Sequence, residues 1–215
     1  MKAIVWKMFA VIVLGAAVAG SAFSTTYHTV GNPSTDTVHF ASSAKLEFVE
    51  GMTGSISGSI EVSPDSGIGS TKGIFQVDLR TLKTGIDLRD EHMRTRHLKT
   101  DKYPYAYFEI SSIADPPTRL ASDSTYQMTA AGKFCIHGNW RPITVTTTVR
   151  RSLRAESDAL AVRAAFTIKL DDFGIPRPKA LFLKLAETIN IEVIFTAANN
   201  LPPVVISLPD WPEKK

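Results

Sequence analysis

Arginines, acids and histidines crowd into one short stretch of this 215-residue chain, which reads Arg89-Asp90-Glu91-His92-Met93-Arg94-Thr95-Arg96-His97. A histidine near a carboxylate is the pairing that moves protons, so His92 with Asp90 is the candidate acid–base pair. It has no nucleophile to serve, because the sequence holds no Gly-x-Ser-x-Gly elbow, glycine-rich phosphate loop or zinc motif. His92 and His97 stand five apart, which on an α-helix sets them on different sides and argues against a shared metal. His28, His39 and His137 are scattered, with no cysteine or carboxylate at ligand spacing. Arg89 beside Asp90 reads first as a charge-paired brace that fixes the segment. No cofactor or metal is expected.

The stretch that carries these groups, Thr84 to Phe108, is the one long interruption with helix-like character in a chain otherwise written in short alternating strands. Asp87 is expected to cap a helix beginning near Leu88, with Asp90 three residues on in the manner of a capping box. The helical crossover covers residues 87–99, and Tyr103-Pro104 returns the chain to strand, since the residue before proline resists the helical region. Leu88 and His92 share one helical face, and Met93, His97 and Leu98 lie on an adjacent one. A crossing of this kind lids or plugs one end of whatever the strands enclose.

Around it the period is two. Ile56, Gly58, Ile60 and Val62 alternate with polar neighbours, then Pro64-Asp65-Ser66-Gly67 makes a turn. The alternation returns at Phe75-Val77-Leu79, Ala106-Phe108-Ile110 and Tyr126 to Ile136. After a turn over His137 to Pro142 it resumes at Ile143 to Val149, then at Leu160 to Leu170 and Ile189 to Phe195. The start is ragged, with Val38, Phe40, Leu46 and Phe48 on matching parity. The fold class is all-β, with roughly eight strands in an antiparallel sandwich or barrel. Small residues at Gly58, Ala106, Ala130, Gly132 and Ala164 leave room on the inward rows, and the phenylalanines that share those rows make that room greasy. On pattern alone, a filled core and an apolar cavity fit equally well.

Residues 1–24 carry Lys2 and Lys7, an apolar run from Met8 to Gly20 and then small residues, which is the anatomy of a secretory signal peptide. Its loss lowers the formal charge from +3 by two lysines to +1. A nearly neutral chain of about 190 residues suits one exported domain and no nucleic-acid partner. The five basic residues between Arg89 and Lys102 are offset by Asp90, Glu91 and Asp101, as on an ordinary solvated face. The single Cys135 has no internal disulfide partner, so stability rests on the core. Residues 199–215 form a proline-rich extension.

Thr84-Gly85, Arg89-Asp90-Glu91-His92-Met93-Arg94 and Thr100-Asp101-Lys102-Tyr103-Pro104 follow one another in order, with Ala106 and Phe108 beyond. Gly132-Lys133-Phe134, His137-Gly138, Arg141-Pro142-Ile143, Asp172-Phe173-Gly174-Ile175 and Arg177-Pro178-Lys179 come later. Together these resemble the signature of the YceI-like family of periplasmic polyisoprenoid-binding proteins, over residues 27–197. The resemblance implies a lipocalin-like barrel at 25–198 whose cavity holds a long-chain isoprenoid or fatty-acid-like amphiphile. It implies no catalytic residues, and a periplasmic or secreted location. Arg96-His97-Leu98 and Asn139-Trp140 depart from the more usual family residues. Phe75, Val77, Leu79, Phe108, Ile110, Met128, Phe134, Ile136, Phe166 and Ile168 are then expected to line the tunnel. Leu88, Met93 and Leu98 stand at one mouth, where Arg89 and His92 would meet a polar head group. Such a cargo is compatible with transient membrane contact, and open strand edges with a homodimer. The competing readings are an enzyme on a lipid-like substrate, using His92 and Asp90, and a structural β-domain with a filled core.

Overall fold

The computed structural model describes residues 24–43, 48–62, 68–177, 179–180, 183–184 and 186–211. Residues 1–23 of the expected signal peptide, the expected turn at 64–67, Leu46 and Pro178 lie outside the described residues. Strands β1 (Thr25–Thr29), β2 (Thr37–Ser43), β3 (Phe48–Thr53), β4 (Ile56–Val62) and β5 (Lys72–Asp78) precede the crossover. Strands β6 (Tyr105–Ala114), β7 (Thr125–Ile136), β8 (Asn139–Arg154) and β9 (Ser157–Lys169) follow it. A two-residue ladder, β10 (Lys179–Ala180) with β11 (Leu183–Lys184), comes before β12 (Thr188–Ala198).

Neighbouring strands are antiparallel from β4 through β5, β6, β7, β8 and β9 to β12. The two remaining staves are each broken in half. β12 pairs with β2 over Asn190–Ile194 and with β1 at Ala198, while β2 pairs with β3 and β1 with β4. Because β3 runs into β4 across Gly54-Ser55, β1 and β2 serve as two lengths of one stave, and β3 and β4 as two lengths of the next. The result is a closed barrel of eight staves, lipocalin-like in architecture.

Each break is satisfied by a side chain. Between β2 and β1 the amide of Thr196 would lose its partner, and the buried Asp36 carboxylate takes it at 3.2 Å. The same carboxylate accepts from the Asn32 amide at 2.9 Å and the Thr29 hydroxyl at 3.2 Å. At the β3–β4 step the Thr53 hydroxyl accepts from the Ser55 amide at 3.0 Å. Buried backbone donors are costly to orphan, so these residues let two staves change direction without opening the wall.

The inward rows read from the sequence face inward except at Phe48, and a bulge and a shorter turn add two further local departures from simple alternation. Phe48 is 59% exposed, because the β2–β3 hairpin reverses parity and gives the inward place to Val49. The register slips between Ile110 and Ser112, so Ile113 rather than Ser112 continues the inner row of β6. The turn expected over His137 to Pro142 is only His137-Gly138, at φ 55° and 72°, and Asn139 already opens β8. Positive φ at both central residues matches the twist of a two-residue hairpin.

Candidate functional site

The barrel encloses a cavity of about 570 Å³ that runs most of its length. That volume sits inside the range of small-molecule sites. Of the small inward residues expected to leave room, Ala106, Ala130 and Ala164 border the cavity, but the space beside the two glycines is filled. A Cβ added to Gly58 would strike the Phe75 ring, its cross-strand partner, and one added to Gly132 would strike Phe108. The glycines leave a bare strip of backbone on which a neighbouring ring lies flat against the wall. Aromatic area is thereby kept beside the lumen instead of across it. Phe75 meets Phe195 with centroids 5.1 Å apart, and Phe134 meets Phe166 edge to face at 5.2 Å.

One end is sealed. Ile68 and Leu120 fold over it, and Arg151 at the foot of β8 donates to the Leu120 carbonyl at 3.0 Å. Arg151 also holds Asp158 through Nε at 2.8 Å and Nη2 at 2.6 Å, while the Tyr27 hydroxyl donates to Asp158 at 2.9 Å. Arg151's hydrogen bonds keep the Asp158 carboxyl below its usual range. Burial, with the hydrogen bond to Asp158 added, pushes the Tyr27 phenol up to about 12.

The other end is the mouth. Of the residues around the cavity, those exposed to solvent are Ile86, Leu88 and Pro176, all at the crossover end. Helix α1 (Asp87–His92) runs directly into a π-helical segment, Met93–Leu98. The helix start differs from expectation: Ile86 is the cap residue and makes no side-chain cap bond, so Asp87 is already the first helical residue. Asp90 is not part of a capping box. Its buried carboxylate accepts from the Thr84 amide at 2.7 Å and from the Thr84 hydroxyl. Arg89 grips the same threonine, with Nε on Oγ1 at 2.8 Å and Nη2 on the carbonyl at 3.0 Å. The brace between Arg89 and Asp90 is thus mediated by Thr84, and Gly85 at φ 84° supplies the left-handed bend that brings the threonine back.

The π segment matters for the histidines. Hydrogen bonds from i to i+5 place residues five apart one turn above each other, so His92 and His97 both reach the cavity mouth. An α-helical count missed His97. Its Nδ1 lies 2.8 Å from the Pro176 carbonyl and must donate to it, which leaves Nε2 as acceptor on the neutral ring and as a second donor when protonated. Arg89, His92 and Thr84 complete a polar rim. The residues expected to line the tunnel all border this cavity, as do Leu88, Met93 and Leu98 of the crossover. Asp90 does not border it, so the acid–base pair of the enzyme reading does not face the cavity together. Among the described residues no three His, Cys, Asp or Glu side chains converge as a metal site would require. Inside, the polar side chains at the wall are Thr71 and Thr147, and the latter donates to the Met128 carbonyl at 3.1 Å.

Solved structures share this architecture. BcnA of Burkholderia cenocepacia superposes with a TM-score of 0.60 at 16% identity, covering 77% of this chain and 98% of that one. A polyisoprenoid binding domain from Saccharophagus degradans, implicated in plant cell wall breakdown, gives 0.60 at 18% identity, covering 81% and 98%. The Campylobacter jejuni YCEI protein gives 0.58 at 17% identity, covering 73% and 88%. No curated protein matches the chain. At these identities the likeness establishes the fold, and membership rests on the sequence itself. The model of the YceI-like domain matches residues 30–197, which span every stave but part of the first and include the crossover and mouth, and the chain belongs to that family.

Proposed function

We propose that the protein is an exported carrier that holds one long-chain amphiphile, an isoprenoid or a fatty-acid derivative. The chain lies in the cavity and the head group at Arg89, His92 and His97. The observation that carries this reading is a single continuous apolar lumen, sealed at one end and opening beside the polar rim. Each methylene moved from water into such an interior gains about 0.8 kcal/mol, so ten contribute about 8 kcal/mol before the entropy of ordering is subtracted. Length and dryness suffice, and no reacting group is required. The name of the Saccharophagus degradans domain lends support, since that protein shares the barrel.

The test is organic extraction of protein purified from its native host, with mass spectrometry of the extract and native mass spectrometry of the intact chain. One long-chain species per chain is expected. An empty protein that also refuses added isoprenoids and fatty amides would overturn the reading. Export is checked in the same preparation, because a mature amino terminus near residue 25 is the expected product of leader cleavage.

A further inference from the structure

The rim of the mouth pairs exposed apolar side chains with cations. Ile86 is 53% exposed and Leu88 62%, yet both border the cavity. Met52, 54% exposed, is bridged backbone to backbone with Lys83, three residues before Ile86. Large apolar side chains in water at the edge of an apolar opening are what a contact surface looks like. Around them, on the segment from Lys83 to Lys102, stand Lys83, Arg89, Arg94, Arg96, Lys99 and Lys102. The acids on the same segment are Asp87, Glu91 and Asp101, together with Asp90, which is buried on Thr84. Six cations against four acids give this segment an excess of two positive charges.

We infer that the mouth end docks on an anionic bilayer surface, with Ile86 and Leu88 entering the interface and Lys83, Arg96 and Lys99 meeting lipid phosphates. The inference rests on the carrier reading in one respect, namely why a bilayer is the occupant. A chain that gains so much from leaving water cannot cross water to reach the lumen, so the opening must touch the phase that supplies it. Ile86 and Leu88 border that opening, whereas the large exposed apolar side chain at the sealed end, Leu153 on the β8–β9 hairpin, borders no opening, and the flanking charges favour anionic lipid. The geometry is that of a shallow contact, because two to three side chains and no long amphipathic helix are available to insert.

The experiment is flotation of the purified mature protein, from residue 25 to the carboxyl terminus and so without the apolar leader, with unilamellar vesicles. One set is phosphatidylglycerol with phosphatidylethanolamine, the other phosphatidylcholine alone. Binding to the anionic set is expected, weakening as salt is raised. Ile86→Asp with Leu88→Asp should lower it at least about tenfold. Lys83→Glu with Arg96→Glu should lower it several-fold while leaving the extractable cargo per chain unchanged. Circular dichroism on each variant confirms that these surface changes leave the barrel folded. A wild-type protein that ignores both vesicle sets, or variants that float like wild type, would overturn the inference. So would a dimer in solution that Leu88→Asp converts to monomer, since the surface would then belong to a second copy. Cargo is measured separately on the same samples. A loaded protein that does not float defeats the docking surface alone, and an empty protein that floats defeats the carrier reading alone.

Discussion

At the scale of single residues, the sealed end shows how a small polar cluster governs an apolar barrel. Asp158 is buried and receives both Arg151 and Tyr27, so an asparagine in its place keeps one acceptor oxygen but sets an amide donor against a donor at the other. Asp158→Asn is expected to cost about 2 to 4 kcal/mol, read as a lower midpoint in urea. The pH dependence follows from the shifts. Folding holds the Asp158 carboxyl below its ordinary value, chiefly through Arg151, so its contribution is complete above about pH 4 and lost as pH falls through the lower folded value. Folding raises the Tyr27 phenol to about 12, first by burial, so its contribution is complete below about pH 10 and lost as pH climbs through the folded value. The urea midpoint should therefore decline on both limbs, and Asp158→Asn should flatten the acid one. An acid limb equally steep in that variant would assign the loss to other carboxylates.

At the scale of elements, the alternating strands were legible because burial on one face writes a period of two into the sequence. What stayed hidden were insertions that a period count cannot see. The bulge after Ile110 adds one residue to β6, and the π segment adds one to a helical turn, which carries His97 to the mouth. The parity error at Phe48 has the same origin, since a hairpin resets the phase. The glycines were legible as small and misread as empty, because sequence does not say where a cross-strand ring will lie. That relation is testable at Gly58. An added methyl meets both the Phe75 ring and the Ile74 carbonyl, so Gly58→Ala should cost about 1 to 3 kcal/mol and push the ring into the lumen. The amount of bound long-chain fluorophore per folded chain should fall with it. A variant with wild-type stability and full loading would mean that the ring has another place to go.

At the scale of the whole molecule, the chain after β12 turns the barrel into a two-layered wall along one side. Leaving at the sealed end, where the Asn199 side chain accepts from the Asp158 amide, it returns without regular structure toward the mouth end. There Trp211 sets its ring edge to face on Tyr103 at 5.2 Å and also against Tyr107, while Ile206 joins the outer cluster of Tyr107, Cys135 and Trp140. The sequence showed a proline-rich extension but not its docking place, because the outward aromatics that receive it, Tyr103, Tyr107 and Trp140, sit on a loop and on two strands, β6 and β8. Cys135 lies beneath this cover with no exposed surface, and burial pushes its thiol up to about 12. Phe134 and Ile136 beside it point into the cavity, so the thiol reports on the outer layer and not on the lumen. Trp211→Ala, and separately a chain ending at Asn200, should raise the labelling rate of Cys135 by a neutral thiol reagent. The rise should appear without a matching fall in the urea midpoint, because the staves themselves remain paired. Labelling as slow as in the full chain would show that Tyr107 and Trp140 protect the thiol by themselves, and would reduce the extension to a passenger.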